Sequence, residues 1–98
     1  MIIRVQGGRV SLEDIDTLTA FKVAATESDR AGLGAALAAA GRFDGEHAWI
    51  SEVWVRKSAA GRPPEWTAGF EKMLTFARSK GWYDDASAAI RAHIDWGA

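Results

Sequence analysis

His93 and Asp95 stand two residues apart near the end of the chain, and Arg91 stands two before His93. On a strand such spacing puts all three on one face, with neighbours of the set about 6.6–6.8 Å apart along the chain. Glu46 and His47 open a β-favouring run in the middle of the chain. If the two runs pair, facing residues lie about 4.5–5.5 Å apart, which brings His47 toward His93. Two imidazoles and a carboxylate in mutual reach can move protons or hold a divalent ion. This is the catalytic reading: a small enzyme acting on an apolar or aromatic metabolite through His47, His93 and Asp95. The same residues also describe a solvated sheet face carrying cross-strand charge pairs. Nothing here has the spacing of HExxH, and the sequence nominates neither a bound metal nor a cofactor.

Five tryptophans, Trp49, Trp54, Trp66, Trp82 and Trp96, are many for 98 residues. Each buries on the order of 150–250 Å² and supplies an N–H for a polar contact. They serve as core, which a domain this small needs. Trp49, Trp54 and Trp66 are also the candidates for an aromatic-walled pocket that takes an apolar small molecule.

Arg56, Lys57 and Arg62 flank the stretch Ser58-Ala59-Ala60-Gly61, a conceivable anion loop ahead of a helix. It lacks the GxxxxGK pattern, and Pro63 and Pro64 remove two N–H donors. Helices over 12–25 and 30–40 would have helix-turn-helix spacing. The second offers only Arg30 to read base edges, so nucleic acid is not expected as a partner. The near balance of 12 basic and 13 acidic residues, a net charge of −1, agrees.

The elements that would position these groups are set by local signals. Ile2, Ile3 and Val5 form a short strand. Gly7-Gly8 then permits either a type I′ hairpin into Arg9-Val10 or a bulge in one strand. Ser11 and Asp14 resemble a capping box, and Leu12, Ile15, Leu18, Phe21 and Ala25 recur at helical steps, which predicts a helix over 12–25. A second helix is expected over 30–40, ended by Gly41. Arg42 to Gly45 reads as a polar turn. A strand over 46–51 and a short helix over 52–60 closed by Gly61 come next, with one long strand as the alternative. Pro63-Pro64 starts the clearest helix. Its stripe is Trp66, Phe70, Met73, Leu74 and Ala77, and Gly81 and Trp82 close it in a Schellman ending. Tyr83 to Asp85 reads as a turn. Ile90, Ala92, Ile94 and Trp96 then alternate with Arg91, His93 and Asp95, as in a half-buried strand, although 86–94 also fits a helical period.

The expected fold is therefore α+β, a single small domain over 1–98. About three strands, N-terminal, middle and C-terminal, are covered on one face by three or four helices. With 48% apolar residues the chain is a folding sequence. It has no cysteine, hence no disulfide framework or thiolate nucleophile. No apolar run reaches the length of a membrane span, and no signal peptide is visible, so a soluble cytoplasmic protein without a membrane partner is expected. The leading functional expectation is a non-catalytic binding or interaction domain. It would be homodimeric, because a small sheet leaves edges to cover, and would carry a tryptophan-walled pocket for a small molecule.

Overall fold

The computed structural model describes residues 1–97, apart from the Glu27 side chain; Ala98, the last residue of the expected domain, lies outside the described residues. The chain opens with a hairpin of β1 (Ile2–Gln6) and β2 (Arg9–Glu13), paired from Gln6↔Arg9 to Ile2↔Glu13. Gly7 and Gly8 both hold positive φ, 58° and 78°. A type I′ turn demands this at both central residues, and only glycine adopts it freely.

Strand β2 and the loop after it overturn the helix expected over 12–25. Leu12 belongs to β2, Asp14 turns at φ 50°, and the Thr17 N–H closes a turn on the Asp14 carbonyl. The Met1 nitrogen donates to the carbonyls of Thr17 and Ala20, which ties the loop back to the start of β1. The chain then runs straight into β3 (Lys22–Ala24), parallel to β1. The three- and four-residue apolar steps were a coincidence of two patterns. Val10 and Leu12 alternate as strand residues, while Ile15, Leu18 and Phe21 are loop side chains folded inward.

The helix expected over 30–40 is divided into a 3-10 segment, Glu27–Gly32, and α1 (Leu33–Leu37). Without the segment 12–25 as a helix, no helix-turn-helix exists. Gly41 does not end a helix; it begins β4 (Gly41–Phe43), so Arg42 and Phe43 are strand residues and not a polar turn. A Cβ at Gly41 would run into the carbonyl oxygen of Trp49 across the β4–β5 pair, so glycine is needed there for close approach. Strand β5 (Ala48–Ser51) leads directly into α2 (Glu52–Ser58), with the Ser51 hydroxyl accepting the Trp54 N–H as the cap. The strand-then-helix reading of this stretch holds, and the single long strand does not.

Helix α3 (Pro64–Ser79) is the long helix anticipated from Pro63-Pro64, and it ends as foreseen. The Trp82 N–H reaches the Ala77 carbonyl at 2.8 Å and the Gly81 N–H reaches Arg78 at 3.1 Å, the paired bonds of a Schellman motif. Tyr83 and Asp84 then form β6 (Tyr83–Asp84), not a turn, and β7 (Ala89–Asp95) closes the sheet. The helical alternative for 86–94 is excluded.

The sheet is mixed, seven-stranded and curled into a half-barrel, in the order β2-β1-β3-β7-β5-β4 with β6 also on β7. This corrects the expected three strands under three or four helices. Strands β3, β4 and β6 are two or three residues long, too short to show any period, and each exists because a neighbour offers it an edge. Strand β7 is the hub: parallel to β3 through His93–Asp95, antiparallel to β5 through Ala89–Ala92, and antiparallel to β6 at Ala89 and Ile90. Ile3, Val23, Ile50, Ile90 and Ile94 share one core with Trp66, Phe70, Leu74 and Ala77 of α3. Among the described residues no polar or charged residue is buried, and no helix is long and apolar enough to cross a membrane.

Candidate functional site

β5 and β7 do pair, as the histidine hypothesis required. Their register, Ala48↔Ala92, puts His47 and His93 at the next facing positions, one step past the ladder. His93 is exposed and also faces Lys22 of β3. Asp95 is engaged elsewhere. It accepts from Lys22 Nζ at 3.3 Å and from the Gly97 N–H at 3.1 Å, and these bonds, the Gly97 one first, hold its carboxyl below the usual carboxylate range. Among the described residues no three His, Asp or Glu side chains gather as a metal site, and Asp95 hydrogen-bonds neither histidine.

His47 sits in a tight turn governed by Asp44. The Asp44 carboxylate accepts the N–H groups of His47 (2.7 Å) and Glu46 (3.0 Å) and the indole N–H of Trp49 (3.0 Å). These three donors lower its pKa to about 2 from 3.8. The folded value lies below the unfolded one, so this contribution to stability is complete above about pH 4 and is lost as pH falls through the folded value. An NMR titration of the Asp44 side-chain carboxyl should show a midpoint near 2, and Asp44→Asn should remove that part of the acid limb of the stability curve. A midpoint at the ordinary carboxylate value would show that the turn does not hold.

The three tryptophans expected to wall a pocket lie on three different elements. Trp49 is on β5, its indole spent on Asp44 and the Arg42 guanidinium 5.2 Å from its ring. Trp54 is half-buried on α2. Trp66 is in the core, stacked on Phe70 at 5.0 Å and bonded through its indole N–H to the Ile15 carbonyl at 2.7 Å. The basic loop is likewise occupied. Arg56 bridges Glu52 (2.8 Å) and Glu71 (2.6 Å), and Arg62 pairs with Asp16 (3.2 Å). The Tyr83 hydroxyl closes this network by donating to Glu52 at 2.6 Å, which pushes the Tyr83 pKa up and the Glu52 pKa down. Its donors and acceptors are matched within the fold, as a structural clamp requires.

An apolar cleft of about 460 Å³ has Trp82 as its tryptophan. Its origin is topological. β6 and β5 both pair Ala89 and Ile90 of β7, so β6 lies on the edge opposite β5, the edge that β3 also uses further along. The two short strands share one edge, and a gap opens between them beside Arg91. Leu18 and Phe21 close one side of it, from the loop that replaced the expected helix. Gly69, Lys72, Met73 and Phe76 of α3 form the other side; their steps of three and four place them on one helix face. Gly69 lets Leu18 pack close here, since a Cβ at this position would make the end of the Leu18 side chain shift. The Schellman turn sets Trp82 edge-on to Phe76, with ring centroids 5.8 Å apart. Phe76 is 55% exposed, unusual for a large apolar side chain.

Lys72 and Arg91 are the charged residues of the lining, and no aspartate, glutamate or histidine lines it. Among the described residues neither cation has a carboxylate within ion-pair distance; the Arg91 guanidinium lies 5.7 Å from the Trp82 ring. The walls thus offer apolar contact and positive charge. Sequence reasoning missed the cleft because it assigned Leu18 and Phe21 to a helix and used Trp82 as core and as a helix terminator. The readable signal was Met73 and Phe76, three apart on one helix face, ahead of Gly81-Trp82. Comparison with protein-family models, curated proteins and solved structures finds no match to this chain.

Proposed function

We propose that this chain is a non-catalytic, cytoplasmic binding domain for a small apolar molecule carrying an anionic group, seated in the cleft between residues 18–21, α3 and Trp82. The observation that carries the reading is the cleft: apolar walls of Leu18, Phe21, Met73, Phe76 and Trp82, with Lys72 and Arg91 unpaired by carboxylates among the described residues. Its volume, about 460 Å³, falls in the range of roughly 300–1,000 Å³ typical of small-molecule sites. Buried apolar area supplies the affinity and the two cations select the head group.

Dodecanoate and the neutral dodecanol separate the two contributions. Dodecanoate is expected to bind saturably with one site per chain and to quench tryptophan emission. Trp82→Phe should remove most of the quenching. Phe76→Ala, at an exposed position, should weaken both ligands without unfolding the chain. Lys72→Gln should weaken dodecanoate at least about tenfold, since a charged hydrogen bond contributes about 1.5–3 kcal/mol, and leave dodecanol unchanged. Failure of both ligands to saturate, or binding indifferent to Phe76→Ala, would remove the cleft as the site.

A further inference from the structure

The sheet has a free edge at β2, and we propose that this edge is a twofold seam at which two copies of the chain pair antiparallel about Ser11. The outward backbone groups of β2 are set by the hairpin. In a two-residue hairpin the pair next to the turn, here Gln6↔Arg9, exchanges both hydrogen bonds, and such pairs alternate along the ladder. Arg9, Ser11 and Glu13 therefore bond to β1, while the N–H and C=O groups of Val10 and Leu12 point off the edge. No other backbone group among the described residues takes them.

Antiparallel pairing of Arg9–Glu13 with itself about Ser11 sets Val10 opposite Leu12 of the second copy and Arg9 opposite its Glu13. The residues with free backbone groups then form the hydrogen-bonded pairs, four bonds in all across the seam. The side chains agree with the backbone. Val10 and Leu12, both half-buried on the core face, meet their counterparts and extend that face. Arg9 is exposed and has no ion pair among the described residues. Glu13 holds Arg4 through Oε1 at 2.8 Å, and its Oε2 is bonded to nothing among the described residues. Ser11, small and exposed, sits on the axis, where facing Cα atoms are only about 4.5 Å apart. Other arrangements lose this match: parallel pairing sets Arg9 against Arg9, and a shift by two residues sets it against Ser11. Charged residues often guard an edge by like-charge repulsion; in this register the charges attract. A seam of five residues is short beside the roughly 1,200–2,000 Å² of a stable interface, so the dimer is reversible and forms at high concentration.

The chain has no cysteine, which makes cross-linking a direct measure of register. A Ser11→Cys chain meets its own copy at about 4.5 Å between Cα atoms, within the disulfide range of about 4.4–6.8 Å. In an Arg9→Cys chain the two cysteines are four residues apart along the seam, about 13–14 Å. At about 200 µM with oxidised glutathione, Ser11→Cys should form the disulfide dimer at least tenfold faster than Arg9→Cys. Sedimentation of the unmodified chain should show its mean mass rising toward twice 10.6 kDa with concentration. Arg9→Glu should abolish that rise, and Arg9→Glu combined with Glu13→Arg should restore it, each variant first shown to keep the native near-UV dichroism. Equal cross-linking rates for the two cysteine chains would overturn the seam. So would a constant monomer mass up to about 500 µM.

Discussion

A chain ending at Ala89 is expected to lose its near-UV dichroism and to melt without a cooperative transition. The truncation removes nearly all of β7, which pairs with β3, β5 and β6. The hairpin of β1 and β2 with β3 would then have no strand ladder to β4 and β5, and α3 would lose Ile90, Ala92 and Ile94 from the surface it covers. Ile90 and Ile94 are 2% and 3% exposed, and each contributes about 1.5–3 kcal/mol by burial. The ladder bonds lost with them contribute about 0.5–1.5 kcal/mol apiece. Their sum is comparable to the whole stability of a small domain, about 5–15 kcal/mol. A truncated chain with native dichroism and a sharp transition would show that the sheet does not depend on its hub.

The largest single-residue effect is expected at Phe70. It is fully buried, stacked on Trp66, and has the Arg56 guanidinium 4.9 Å from its ring. Phe70→Ala should cost about 3–5 kcal/mol, the usual range for a buried aromatic, and Leu74→Ala about 2–5 kcal/mol. Phe70 should stand high in its range, because the stacked pair alone is worth about 0.5–1.5 kcal/mol beyond area. The measurement is the shift in urea midpoint at unchanged slope. The contrast is Phe76→Ala on the same helix, which should cost only about 0.5–1.5 kcal/mol through its edge-on pair with Trp82, since that ring is largely in solvent. Equal costs at Phe70 and Phe76 would mean that the apolar stripe of α3 does not face the core.

The proposed β2 seam and the proposed ligand cleft use different parts of the molecule. No residue of β2 lines the cleft. Arg9→Glu should therefore leave dodecanoate binding intact while it abolishes association, and Lys72→Gln should do the reverse.

What the sequence determined by itself was decided by residues within a few positions of one another. Gly7 and Gly8 specify the hairpin because both turn positions need φ above zero. Pro63-Pro64 and Gly81 bound α3 because proline suits a first helical turn and glycine the left-handed terminus. The alternation of 90–96 favours the strand that forms β7, buried at Ile90, Ala92 and Ile94, over the helical period that 86–94 also fits. The tertiary structure alone decided the rest. Leu12, Ile15, Leu18 and Phe21 have helical spacing, yet the free edge of β1 claimed Leu12 for a strand, and Gly69 of α3, some fifty positions away, let Leu18 pack as loop. β3, β4 and β6 carry two or three residues each and form only against a partner already in place. The cleft exists because β3 and β6 share one edge of β7, and Asp95 pairs with Lys22 because β3 lies beside it. A short strand gains its hydrogen bonds from a distant segment, so its own side chains carry no signal of where, or whether, it will pair.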